Sequence, residues 1–156
     1  MTRIPLHVQT AAGGLKPFAY VVVYAPQYRI RGKRIRLFLD SGANDSIICE
    51  TDAKLIGVNY RRLDKPKKFR GVAGCAINGY RLNDVILRFR DEEDNVISIN
   101  FPEIYALYCI QKDKKAIEAS KGFPSILGVK FLLDNQFSLF FDPSKKIAYF
   151  ENKHET

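Results

Sequence analysis

The residues whose types and spacing could do chemistry are Asp40, Ser41 and Gly42, which directly follow an alternating apolar pattern at residues 34–39. A carboxylate at the end of a buried strand needs hydrogen-bond donors, because its ionised form is otherwise costly to bury. Gly42 allows a tight turn whose N–H can approach the carboxylate, and the Ser41 hydroxyl can bond a symmetric partner loop. The arrangement suits a carboxylate held at a seam between two protein chains.

An Asp-Ser-Gly tripeptide also occurs in ordinary turns and at helix ends, so its context decides the interpretation. Here Ala43, Asn44 and Asp45 follow the glycine, and Ile47 and Ile48 resume the apolar pattern. Two further segments accompany the loop. They are the glycine-rich segment Gly71, Val72, Ala73 and Gly74, and the later apolar run Ile126, Leu127 and Gly128.

These three parts, in this order, resemble the retropepsin family, the retroviral-type aspartic proteases with their cellular prokaryotic relatives. Residues 38–47 are similar to the retroviral stretch Leu-Leu-Asp-Thr-Gly-Ala-Asp-Asp-Thr-Val, with Ser41 in place of the first threonine. Residues 126–132 are similar to the retroviral Ile-Ile-Gly-Arg-Asn-Leu-Leu. The resemblance covers roughly residues 35–151.

The resemblance implies a mainly β fold, a closed β-barrel or sandwich of the retropepsin type with one or two short helices. It implies an aspartic endopeptidase that acts on polypeptides as a homodimer, with one catalytic Asp40 from each chain. Ser41 would brace the loop of the other chain, and Gly42 would place an N–H near the two carboxylates. Two carboxylates this close share one proton, so one activates a water and the other hydrogen-bonds the substrate carbonyl.

The resemblance also implies residues that bind substrate and residues that support the site. A flap over residues 69–82 would close over the substrate, although a plain hairpin bulge would also explain its glycines. Asp45 would face the substrate backbone or serve as a surface turn residue. The implied substrate-binding residues are Ala43, Asn44, Asp45, Gly71, Val72, Ala73 and Gly74. The implied supporting residues, behind the catalytic loop, are Ile126, Leu127 and Gly128.

The sequence departs from the retroviral pattern at two positions that form an ion pair in that family. Asn44 stands where many viral enzymes have Asp, and Val129 stands where they have Arg. Losing both is physically consistent, because either charge alone would be stranded without its partner. We therefore expect any dimer to use other contacts. Residues 85–124 are longer than in compact viral enzymes and predict an added hairpin.

The remaining pattern predicts eight to ten short strands in one domain over residues 1–156. Residues 1–17 are expected as an arm or edge strand, and residues 152–156 as a polar tail. A helix is predicted from the N-cap Thr51 to Gly57. Asn78 and Gly79 predict a two-residue hairpin turn.

Composition narrows the class of protein. The 156 residues are 46% apolar and 27% charged, as in globular proteins. The longest apolar stretch, residues 18–26, is too short for a membrane helix, and the first residues show no secretory pattern. Cys49, Cys75 and Cys109 match no disulfide framework or metal motif. We expect a cytoplasmic protein without cofactor or metal.

Two alternatives to a protease remain open. The same fold could serve as a non-catalytic module for dimerisation or protein binding. The net charge of +8 and the basic runs at residues 29–36, 61–70 and 112–115 could contact nucleic acid or an acidic partner. No nucleic-acid motif accompanies the charge, so the sequence favours solvated basic loops over a nucleic-acid partner.

Overall fold

The computed structural model describes residues 1–11, 13–70, 76–110 and 114–152. This part of the chain is mainly β, as expected, with three short α-helices where one or two were predicted. The strands are β1 (Thr2–Ala11), β2 (Gly14–Ala25), β3 (Ile30–Leu39), β4 (Ile47–Ile48), β5 (Lys67–Arg70), β6 (Ala76–Arg90), β7 (Val96–Cys109), β8 (Ser125–Leu127), β9 (Phe137–Asp142) and β10 (Ile147–Asn152). The helices are α1 (Glu50–Ile56), α2 (Lys114–Lys121) and α3 (Val129–Asn135), with single 3-10 turns at Pro26–Tyr28 and Tyr60–Arg62.

The strands are hydrogen-bonded in the order β5-β6-β7-β4-β8-β3-β2-β1-β10-β9. β6 also pairs with β2. The first and last strands of the series β6-β7-β4-β8-β3-β2 are therefore hydrogen-bonded to each other. Residues 1–17 were expected as an arm or edge strand. Within them, β1 pairs with β10 over Thr2 to Leu6 and with β2 over His7 to Ala11, so it links the β9-β10 hairpin to the main sheet.

The candidate loop follows β3, and the short strands β8 and β4 lie behind it. β3 pairs in parallel with β8, so that Leu39 lies opposite Leu127. β8 in turn pairs antiparallel with β4, and β4 pairs in parallel with β7. The alternating side chains Ile35, Leu37 and Leu39 are all buried, which holds the end of β3 firmly in the core. The loop that follows Leu39 is therefore anchored at its start.

The predicted turn at Asn78 and Gly79 is wrong, because both residues lie inside β6 and pair with β5 and β7. Gly79 serves a different purpose. A β-carbon built there would overlap the ring of Phe69 on the neighbouring strand. The glycine thus allows an aromatic ring to cross the strand, which a pattern of turn residues does not reveal.

Helix α1 begins two residues earlier than predicted. Its N-cap is Cys49 and not Thr51, while Gly57 ends the helix as predicted, in a left-handed conformation with φ of 89°. The acidic side chains of Glu50 and Asp52 lie in the first turn, where the positive end of the helix dipole stabilises them.

Helix α3 is anchored by one aromatic side chain. The Phe131 ring is 3% exposed and stacks on the rings of Phe89, Phe101 and Phe137, with Phe150 edge-on. Aromatic contacts of this kind contribute beyond their buried area. Because Phe131 fixes the helix, it also fixes the segment just before the helix, which reaches the candidate loop.

Candidate active site

Asp40 is the first residue after β3, and its backbone is held by β8. The Asp40 N–H donates to the Leu127 carbonyl oxygen at 3.1 Å, which continues the parallel pairing of the two strands by one residue. The Asp40 residue is half-buried, whereas Leu127 beside it is fully buried. The carboxylate is therefore set on a rigid base while its surface remains open on one side.

Gly42 supplies the donor that the sequence led us to expect. Its N–H donates to Asp40 Oδ1 at 2.9 Å, and the Ala43 N–H donates to the Asp40 carbonyl oxygen at 3.1 Å. A β-carbon at residue 42 would lie 3.2 Å from the same carboxylate oxygen, so a side chain there would crowd it. Ser41 lies exposed at the tip of this turn.

The second half of the loop is joined to the start of α3. The Val129 N–H donates to the Ala43 carbonyl oxygen at 2.8 Å, and the Lys130 N–H donates to the Asn44 carbonyl oxygen at 3.2 Å. Backbone hydrogen bonds thus connect the two segments that carry Asn44 and Val129. A carbonyl group at the N-terminal end of a helix also satisfies N–H groups that the helix itself leaves free.

Gly128 is required by the close approach of these two segments. A β-carbon built at this position would overlap the backbone of Asn44 and Asp45. Its φ is −84°, so the glycine is needed for space and not for an unusual backbone conformation. The structure places Ile126, Leu127 and Gly128 directly behind the loop, and their supporting role stays a prediction.

Ser46 is a supporting residue that the sequence analysis missed. Its side chain is buried and its Oγ accepts the Gly128 N–H at 3.0 Å, while its carbonyl oxygen accepts the Tyr105 N–H at 3.2 Å. A hydroxyl residue directly before the apolar pair Ile47 and Ile48 was the only signal in the sequence. Ser46 connects the loop to β7 and to the α3 segment at once.

A second missed group lies beneath α1. The Ser125 Oγ accepts the Cys49 N–H at 2.9 Å and donates to Asp52 Oδ2 at 2.6 Å. Burial raises the pKa of the Cys49 thiol, so the thiol form is favoured. Cys49 and Cys109 are both buried, as expected of core residues, and Cys75 lies outside the described residues.

The arms of the predicted flap are an antiparallel hairpin of β5 and β6. Lys67 lies opposite Gly79 and Arg70 opposite Ala76. The substrate-binding residues predicted between these arms, Gly71, Val72, Ala73 and Gly74, lie outside the described residues. The paired residues 67–70 and 76–79 overlap the range predicted for the flap, residues 69–82, and the flap itself stays a prediction.

Lys67 connects the hairpin to the loop. Its Nζ lies 3.7 Å from Asp45 Oδ2. The same Nζ lies 5.2 Å from the centre of the Phe69 ring and 5.4 Å from the centre of the Tyr105 ring. The ion pair is partly exposed, so it contributes little stability by itself. Its position matters more, because it joins a predicted substrate-binding residue to the first strand of the predicted flap.

Apolar side chains of the loop, the hairpin and the neighbouring strands pack against one another. Buried Ile47, Ile77, Tyr105, Leu107 and Ile126 form one cluster. The half-buried side chains packed against it come from the loop, the hairpin and the segments around them: Phe38, Ala43, Phe69 and Phe123. The region beside Asp40 is thus apolar and partly open to solvent.

Two further findings concern other kinds of site. Within the described ranges, no three His, Cys, Asp or Glu side chains come together as a metal site. No helix in the same ranges is both long and apolar enough to cross a membrane.

A model of the family described as Aspartyl protease matches residues 27–131, which is more than half of the chain. The chain belongs to the aspartyl protease family. The matched range includes the Asp40 loop, both arms of the hairpin and the Gly128 segment. A comparison with curated protein sequences finds no match.

A solved structure with a similar fold is found. A retropepsin-like aspartic protease from Rickettsia conorii aligns with a TM-score of 0.55 at 13% identity, over 96% of this chain and 90% of that chain. This alignment confirms the predicted retropepsin-like fold. A weaker alignment is found with the EIAV protease complexed with the inhibitor HBY-793, with a TM-score of 0.48 at 14% identity, over 85% of this chain and 100% of that chain. Another is found with the retroviral protease-like domain of Ddi1 from Leishmania major, with a TM-score of 0.44 at 16% identity, over 89% of this chain and 98% of that chain.

Proposed function

We propose that this aspartyl protease family member hydrolyses peptide bonds as a homodimer in which the two Asp40 carboxylates form the catalytic pair. The observation that carries the proposal is the half-buried Asp40 carboxylate, which accepts the Gly42 N–H in a loop held from behind by Leu127 and Gly128. A scaffold without catalytic activity would have no need to hold an acid in this way. Family membership and fold support the same conclusion.

The homodimer follows from the number of catalytic carboxylates. The sequence contains one Asp-Ser-Gly, so a pair of equivalent carboxylates needs a second chain. Ser41 is exposed at the tip of the turn, where its hydroxyl is available to a symmetric loop. We propose that each Ser41 braces the partner's loop and that each Gly42 N–H keeps its own carboxylate oriented. The two chains thereby complete one site.

The proposed reaction needs only the two carboxylates and one water. The ionised carboxylate takes a proton from the water while the water oxygen bonds to the peptide carbonyl carbon. The protonated carboxyl of the partner transfers its proton to the carbonyl oxygen, which gives a neutral diol. The diol then collapses: the carbon–nitrogen bond breaks, the nitrogen takes a proton from one carboxyl, and one hydroxyl proton returns to the pair.

The polypeptide substrate is proposed to lie between the loop and the hairpin. Ala43, Asn44 and Asp45 would face its backbone, and the residues Gly71, Val72, Ala73 and Gly74 between β5 and β6 would cover it. The apolar cluster beside the loop offers contacts for apolar side chains of the substrate. Covering the site would exclude water other than the one that reacts.

The test compares wild type with Asp40→Asn on a denatured polypeptide mixture between about pH 3 and pH 7. Asparagine keeps the shape of the side chain and its acceptor for the Gly42 N–H, and it removes the titrating acid. The matched control is Asp64→Asn, which makes the same change at an exposed loop residue. Circular dichroism and sedimentation establish that each variant folds and assembles as wild type does.

We expect cleavage by wild type and by Asp64→Asn and none by Asp40→Asn. Cleavage by the Asp40→Asn variant would overturn the proposed mechanism. No cleavage by a folded, dimeric wild type would favour the protein-binding module instead.

A further inference from the structure

A cleft opens where β1 leaves β2. The two strands pair as far as His7 and Phe18, and β1 then continues beside β10. β2 next pairs with β6 from Val22 onward. The divergence leaves a cavity of about 430 Å³ between β1, β2 and β6, within the size range of small-molecule sites.

Two arginines flank the floor of this cleft. Val22 on β2 lies opposite Arg34 on β3 and opposite Arg88 on β6, so the three side chains form one row on one face of the sheet. Neighbouring strands are about 4.8 Å apart, which places the two arginine backbones roughly 10 Å from each other. Both side chains line the cavity and both residues are exposed.

Each guanidinium group rests on a tyrosine ring. The Arg88 guanidinium carbon lies 3.9 Å from the centre of the Tyr24 ring, and that of Arg34 lies 4.6 Å from the centre of the Tyr20 ring. The His7 ring packs edge-on against Tyr20 at 4.8 Å. Stacking restricts the guanidinium groups and leaves their in-plane N–H donors available for a bidentate acceptor.

The residues that line the cleft carry a net positive charge. None of the residues that line it is acidic, and Arg34 and Arg88 have no carboxylate within ion-pair distance in the described part of the chain. Arg90 at the rim is paired with Asp94 at 3.2 Å. Like charges on one sheet face repel each other, so an anion between Arg34 and Arg88 would relieve that repulsion.

We propose that this cleft binds an organic phosphate of about mononucleotide size, with the phosphate between Arg34 and Arg88 and the organic part against Val22 and Pro5. The site is separate from the proposed active site, because Arg34 and Asp40 lie six residues, roughly 20 Å, apart along an extended strand. The guanidinium fork matches phosphate geometry, and the apolar floor accepts an uncharged ring or chain. The proposal does not depend on peptidase activity.

The geometry favours a small molecule over a nucleic-acid strand. Proteins that bind single strands offer open aromatic faces on which successive bases stack. Here the rings of Tyr20 and Tyr24 are covered by guanidinium groups, and β1 closes the cleft on one side with Pro5 and His7. A bounded cavity with covered rings suits one ligand more than a continuous strand.

The test is isothermal titration of the full-length protein with adenosine monophosphate, with adenosine, and with a series of single-stranded oligonucleotides. The variant is Arg34→Gln with Arg88→Gln, and the matched control is Arg62→Gln with Lys145→Gln, which removes the same charge at exposed positions elsewhere. We expect adenosine monophosphate to bind wild type and the control alike, and to bind the cleft variant about tenfold or more weakly. Adenosine alone should not bind measurably.

Amide chemical shifts of the wild-type protein supply a readout that does not depend on the variants. Adenosine monophosphate should perturb the amides of His7 and Val22 more than those of the Asp40 loop. Equal weakening in both double variants, shifts centred on the Asp40 loop, or binding by adenosine as tight as by its phosphate would each overturn the proposal. Oligonucleotide affinity that exceeds that of the mononucleotide and rises with length would overturn it in favour of a nucleic-acid strand.

Discussion

The backbone N–H of Gly128 donates a hydrogen bond of 3.0 Å to the side-chain oxygen of Ser46, a residue 82 positions earlier in the chain. Both residues are buried. The bond joins the end of the Asp40 loop to the start of α3, and α3 is in turn fixed in the core through Phe131. The position of the proposed catalytic carboxylate therefore depends on contacts between distant parts of the chain.

Replacing Ser46 by alanine should destabilise the protein and impair the proposed activity together. The change leaves the buried Gly128 N–H without its acceptor, which costs about 1–3 kcal/mol. Denaturant unfolding measures the loss. Ser138→Ala, at an exposed strand position, is the control and should leave the free energy of unfolding unchanged. Equal stability of the two variants would show that the Ser46 hydrogen bond is not structurally important.

Substituting Gly128 by alanine should lower the stability of the protein more than the addition of one methyl group suggests. The added methyl group would overlap the backbone of Asn44 and Asp45, which has little freedom to move. We expect a loss at the upper end of the about 1–3 kcal/mol typical of overpacking. Gly14→Ala is the matched control, since a β-carbon there meets nothing within 4 Å. Thermal unfolding of the two variants should differ clearly, and similar midpoints would contradict the close approach.

The Ser41 hydroxyl should matter for dimer formation and not for folding of the single chain. Ser41→Ala removes one hydrogen bond from each half of the proposed interface, which should weaken the dimer about tenfold. Ser41→Thr retains the hydroxyl and should assemble as wild type does. Sedimentation velocity over a range of protein concentrations measures the dimer dissociation constant. Three indistinguishable dissociation constants would remove Ser41 from the interface.

Stability at high pH should depend on Tyr60. Its hydroxyl donates to the Leu107 carbonyl oxygen at 2.6 Å, and burial raises the pKa of its phenol well above the ordinary value. The unfolded state loses this proton first, at about pH 10, which is the pKa of an unperturbed tyrosine. Because the folded state keeps the proton, the stabilisation is complete below that pH and is lost as the pH rises towards the raised pKa.

The comparison for this prediction is wild type against Tyr60→Phe between about pH 9 and pH 11.5. The wild-type free energy of unfolding should fall more steeply, by up to about 1.4 kcal/mol per pH unit. Phenylalanine cannot ionise, so the variant should lack that part of the slope. Parallel curves for the two proteins would contradict a protonated, buried Tyr60.

Several features of the fold and the candidate loop could be predicted from the sequence, because they depend on neighbouring residues. Alternation of Ile35, Leu37 and Leu39 places these side chains in the core and delivers Asp40 at the strand end. Gly42 directs its N–H to that carboxylate two residues away, which is a local geometry. The catalytic role of Asp40 and the bracing role of Ser41 stay predictions.

Other features were decided only by the tertiary structure, because they depend on which distant segments come together. Nothing near Ser46 in the sequence indicates that its hydroxyl accepts the Gly128 N–H. Gly79 resembles a turn glycine beside Asn78, but it lies in a strand that the Phe69 ring crosses. Local residue types determine how a segment can turn or extend. Tertiary packing determines which residues a glycine or a small polar residue contacts, and the local sequence does not indicate that packing.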